Sequence, residues 1–131
     1  MNFSIEHIGL AAQNPSALKT WYERTLGARV TWENGQNPPT CLLTLPSGPM
    51  LEIYPATSVD SAHKGDNKLV GFRHLAWRVN SIENAQVTLT ARGVKFEDEI
   101  RPAAGGGRVL FFEDPEGNLL HFVERPPTPI S

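Results

Sequence analysis

A chain of 131 residues with 40% hydrophobic content is long enough to bury a core, and its 12 Lys and Arg against 14 Asp and Glu leave a net charge of −2. The basic residues are scattered singly, so no cationic stripe follows a phosphate backbone, and nucleic acid is not an expected partner. No run approaches the roughly 18 apolar residues that span a bilayer, and the opening "MNFSIEHIGLAA" lacks the basic start and long apolar stretch of a signal peptide, so the expectation is a cytoplasmic protein without a membrane partner.

In chain order, "SIEHIGLAA" reads as a strand carrying His7. Asn14 and Pro15 then supply an N-cap and a first-turn proline for a helix, "PSALKTWYERTL", that ends at Gly27. Leu18, Trp21, Tyr22 and Leu26 have the spacing of one buried stripe. Three strand-like segments follow, "ARVTWE", "TCLLTL" and "PMLEIYP", separated by turn residues. The single cysteine, Cys41, lies in the apolar "CLLTL" and is expected to be a buried, inert thiol. Residues 56–70 show no sustained periodicity and read as a connector, with His63 a solvated loop residue. "FRHLAWRV" reads as a strand carrying His74, and Ser81 caps a helix bearing Ile82, Ala85, Val87 and Leu89, with Gly93 beyond its end. "VKFEDEI", "RVLFFED" and "NLLHFVE" read as the closing strands, and "RPPTPIS" as a loose tail.

The chain states this pattern twice. "IEHIGLAAQN" aligns on "FRHLAWRVNS", placing His7 on His74 at an offset of 74 − 7 = 67, and "PSGPMLEIY" aligns on "PEGNLLHFV", placing Glu52 on His121 at 121 − 52 = 69. Loops absorb the difference of two. The expected organisation is one domain, 1–131, built from βαβββ modules at 1–55 and 71–125, with a connector at 56–70 and a tail at 126–131.

This pattern, with histidines in both first strands and the closing "DPEGNLLHFVE", resembles the vicinal oxygen chelate superfamily, which includes glyoxalase I, extradiol dioxygenases, methylmalonyl-CoA epimerase and the fosfomycin- and bleomycin-resistance proteins. The resemblance implies an α+β fold in which two βαβββ modules form a curved mixed sheet, a half-barrel around a divalent metal. Carried over residue by residue, it implies His7, Glu52, His74 and His121 as ligands, and zinc, nickel, cobalt or iron as the ion. Imidazole suits those metals, and a carboxylate completes the charge they prefer.

Strand alternation puts Phe3, Ile5 and His7 on one face, and likewise Phe72, His74 and Ala76. Tyr54 shares the face of Glu52 as a candidate hydroxyl donor to substrate, and Arg78 shares that of His74, where it would neutralise an anionic substrate. Trp77 faces away and reads as packing. Arg108, after three glycines, is either a carboxylate-binding group or a hairpin arginine.

The resemblance departs from its pattern at His121, where glyoxalase I and the extradiol enzymes carry glutamate. A coordinated imidazole is neutral and cannot act as base, which leaves Glu52 as the metal-site base. Three readings follow: a glyoxalase I-like isomerase or lyase (lactoylglutathione lyase-related) acting on a small oxygenated substrate, a non-haem Fe(II) ring-cleaving dioxygenase, and a bleomycin-resistance-type ligand-binding protein. A four-ligand set containing Glu52 favours the first. The family also implies a homodimer, in some members with modules exchanged so that sites are shared between chains.

Overall fold

The computed structural model describes residues 1–59 and 65–127, so His63 and the end of the tail lie outside the described residues. The chain divides into two compact units, Met1–Asp60 and Ser61–Ser131, a division that falls inside the 56–70 segment. In the first unit β1 (His7–Ala12) leads to α1 (Pro15–Leu26), β2 (Arg29–Glu33), β3 (Cys41–Thr44) and β4 (Met50–Pro55). The second repeats the order with β5 (His74–Arg78), α2 (Ile82–Ala91), β6 (Arg101–Pro102), β7 (Arg108–Glu113) and β8 (Leu119–Glu124). Each forms a four-stranded sheet, ordered β1-β4-β3-β2 and β5-β8-β7-β6, in which the first and last strands pair in parallel and the rest antiparallel. These two mixed sheets, each with one helix, are the paired βαβββ arrangement expected.

Local chemistry sets the helix ends. The Asn14 side chain accepts a hydrogen bond from the Ala17 amide at 3.1 Å, and α1 stops where Gly27 takes the left-handed conformation at φ 74°. Leu18 and Tyr22 of α1, which packs on β4, are fully buried together with Cys41 and Leu43 of β3 and Leu51 and Ile53 of β4. In α2 the Ser81 hydroxyl accepts from the Asn84 amide, and the Glu124 carboxylate accepts from the Ile82 amide at 2.9 Å, a negative charge at the positive end of the helix. Ile82 and Leu89 face a core of Leu110, Phe112, Leu120 and Phe122, whereas Val87 is exposed.

Two expectations need correction. β1 and β5 begin at the histidines themselves, so Phe3, Ile5 and Phe72 lie ahead of the strands and are exposed. "VKFEDEI" also forms no strand; only Arg101 and Pro102 pair with β7. Its alternation is satisfied by side chains instead, because Val94 is buried and the Phe96 ring packs 5.5 Å from Phe112 and 6.0 Å from Phe122. Alternation reports which residues are buried, and a ladder is one of several ways to bury them.

Candidate metal centre

In the first unit, Leu51 and Ile53 of β4 are buried against α1, so alternation sends Glu52 and Tyr54 off the opposite face. The parallel register pairs His7 with Met50, Gly9 with Glu52 and Ala11 with Tyr54, which sets His7, Gly9, Glu52 and Tyr54 on that same face. The Tyr54 ring lies over β1, since a Cβ on Gly9 would stand 3.2 Å from Tyr54 Cε1. Trp32, opposite Leu42 and thus in the row of Glu52, adds a half-exposed aromatic that the sequence did not single out.

The second unit repeats the register: Ala76 pairs with His121 as Gly9 does with Glu52, and His74 precedes Ala76 by two residues as His7 precedes Gly9. His74 and His121 share a face, their ring centroids 4.7 Å apart, and Phe111 packs against both at 5.7 and 4.7 Å. His121 is 6% exposed, and burial above all lowers its pKa below the ordinary histidine value, so neutral imidazole is favoured.

The three described histidines, His7, His74 and His121, present the same ring nitrogen. Nδ1 of His121 lies 3.0 Å from the Phe122 carbonyl oxygen, Nδ1 of His74 2.8 Å from Asn67 Oδ1, and Nδ1 of His7 2.8 Å from Glu6 Oε1. Oxygens of those kinds accept, so each Nδ1 carries the hydrogen and each Nε2 keeps a lone pair when the ring is neutral. That is the tautomer in which an oriented histidine ligates a metal.

Each unit therefore offers two donors suited to a divalent ion, His7 with Glu52 and His74 with His121. Among the described residues no three His, Cys, Asp or Glu side chains gather as a metal-holding group.

The other candidates sort by face. Arg78, at the end of β5, lies on the His74 face and is exposed, while Trp77 points to the helix side. Arg108 pairs with Glu124 across β7 and β8, on the face opposite His121. Its guanidinium is bound by Glu83 through two 2.8 Å hydrogen bonds and by Glu124 at 3.0 Å, and this contact holds the Glu83 pKa down at about 2. Arg108 thus ties α2 to the sheet through two of the protein's own carboxylates. Arg101 lies on the His121 face, its guanidinium carbon 5.3 Å from the centre of the Phe111 ring. The sequence hid it because β6 is only two residues long, too short for its alternation to be read.

The fold has known relatives. A curated relative, the uncharacterized protein YwbC of Bacillus subtilis (strain 168), is 27% identical, over 92% of this chain and 97% of its own. A glyoxalase family protein from Enterococcus faecalis superposes with a TM-score of 0.77 at 29% identity, covering 92% of this chain and 96% of that one. The fosfomycin resistance protein FosX of Listeria monocytogenes, solved with Mn(II) and sulfate, shares the fold at a TM-score of 0.71 and 16% identity, over 97% and 94% of the two chains. The family model of the Glyoxalase/Bleomycin resistance protein/Dioxygenase superfamily matches residues 4–122, and the chain belongs to that superfamily.

Proposed function

We propose that the protein is a metal-dependent enzyme of the glyoxalase I-like isomerase or lyase type, acting on a small oxygenated substrate, with His7, Glu52, His74 and His121 as the ligand set. The observation that carries this reading is the common register of the two units, which gives each a donor on its first strand and another on its last, with all three histidines keeping Nε2 for a metal. A bound zinc, nickel or cobalt ion would supply Lewis acidity, stabilising negative charge on substrate oxygens.

The remaining chemistry falls to the chain's own side chains. Removing a proton beside a carbonyl needs a base, and Glu52 is the one carboxylate in the set. His121 holds its Nδ1 hydrogen against the Phe122 carbonyl and serves as a neutral donor. Tyr54, over Gly9 on the Glu52 face, offers a hydroxyl to a substrate oxygen. His74 and His121 are oriented by Phe111 on one side and by Asn67 and the Phe122 carbonyl on the other.

Elemental analysis of tag-free protein purified without added metal tests the reading, alongside His121→Ala. The expected result is about one zinc, nickel or cobalt ion per ligand set in the wild type, with affinity weakened at least ~10-fold in the variant. Iron with oxygen uptake would replace this reading with the dioxygenase one. No metal after reconstitution would replace it with a ligand-binding protein.

A further inference from the structure

One transverse row of the second sheet carries an arginine at each end. Arg78 of β5 pairs with Val123 of β8, Val123 with Val109 of β7, and Val109 with Arg101 of β6. Directly paired residues share a face, so all four lie on the face of His121. The neighbouring row is Ala76, His121 and Phe111. Along a strand, residues two apart are separated by roughly 6.6 Å, which is the offset between the arginine row and the imidazole row.

Arg101 leans over the Phe111 ring of that neighbouring row. Its Cζ is 5.3 Å from the Phe111 ring centre, which is itself 4.7 Å from the His121 ring, so the guanidinium carbon is within 10.0 Å of the His121 ring centre, the two legs added. Asp98 accepts from Nη2 of Arg101 at 2.6 Å and steadies the side chain. A guanidinium has five N–H donors in a planar fork, so a second carboxylate can be held in the same plane. Between the arginines lie Val109, half-buried, and Val123, 6% exposed, an apolar strip that suits carbon rather than water.

We propose that Arg78 and Arg101 form a carboxylate clamp, and that the substrate is a small organic acid. Its carboxylate is held at the arginine row, its apolar carbons lie along Val109, the less buried of the two valines, and its reacting oxygens extend toward His121. The substrate part of this assignment rests on the function proposed above; the anion site itself stands without it.

The test uses metal-stripped, full-length protein titrated with benzoate and, separately, with inorganic phosphate, followed by NMR shifts of the valine methyls and arginine side-chain N–H groups. Benzoate is expected to saturate, moving the Val109 and Val123 methyls. Arg78→Gln and Arg101→Gln should each weaken it ~10-fold or more. Arg29→Gln, an exposed arginine of the first unit, removes the same charge and should leave binding unchanged. Arg101→Lys keeps the charge without the fork and should bind between wild type and Arg101→Gln, which also covers a folding failure of the glutamine variant. Equal weakening in Arg29→Gln, binding of phosphate in preference to benzoate, or no saturation by benzoate would overturn the clamp. Both clamp variants should keep wild-type metal content, so a failure of the clamp and a failure of the metal set are read separately.

Discussion

Replacing Gly107 by alanine separates two costs that usually arrive together. Gly107 closes the β6–β7 hairpin at φ 93°, where its carbonyl accepts from the Ala103 amide at 3.0 Å. A Cβ there would stand 1.8 Å from the Glu124 carbonyl oxygen, 2.9 Å from the Glu124 carbonyl carbon and 3.1 Å from Arg125 Cα. All three are backbone atoms, so no rotamer change relieves the clash. Gly93 has nearly the same dihedral, φ 94°, but nothing within 4 Å of its Cβ position. Left-handed strain for an L-residue is about 1–2 kcal/mol and applies at both sites. Overpacking adds about 1–3 kcal/mol at Gly107 alone. Gly93→Ala should therefore lose about 1–2 kcal/mol and Gly107→Ala about 2–5 kcal/mol, against a total stability of about 5–15 kcal/mol for a domain. Urea unfolding with linear extrapolation measures both. Equal losses in the two variants would refute the steric argument and leave backbone strain as the whole effect.

Two further outcomes follow from charge and burial. Arg108 holds the Glu83 carboxyl at about 2 against an ordinary 4.5, so the contribution of the ionised form is fully present above pH 4.5 and is lost as pH falls toward 2. Glu83→Gln should melt at a lower temperature than wild type at pH 7, with the gap narrowing below pH 4.5 and closing near pH 2; a gap independent of pH would mean that the pair contributes nothing through its charge. Cys41 is fully buried, and desolvation raises its thiol pKa, so a thiol-specific reagent should label it only as urea unfolds the protein. Labelling of the native protein at the rate of an exposed thiol would contradict that burial.

Much of this architecture was legible in single residues. Asn14, Pro15 and Gly27 bound α1, and Ser81 starts α2, because caps are local chemistry that sequence records directly. The equivalence of Glu52 and His121 could also be read, since a duplicated unit keeps its register: each sits opposite the residue two beyond its unit's first-strand histidine. Pairing of distant segments was not legible. Val94 and Phe96 alternate like a strand but satisfy that pattern by packing on Phe112 and Phe122, and Phe3, Ile5 and Phe72 continue an apolar alternation past the point where the ladders begin. Arg108 and Arg101 were harder still. Which of them shares the face of His121 depends on the parity of the β7–β8 register, and a one-residue slip would reverse the answer.

The matched registers of the two units also bear on how the protein can change. Glu52 and His121 occupy one backbone address in two copies of the same frame, and the hydrophobic contacts that hold each frame, Leu51 and Ile53 in one and Leu120 and Phe122 in the other, lie on the opposite side of the strand. The proposed donors and the core packing are thus carried by alternate residues of one strand. A lineage can exchange carboxylate for imidazole at either address without touching the side chains that hold the sheet to its helix, so the chemistry of the face is free to drift while the scaffold stays fixed.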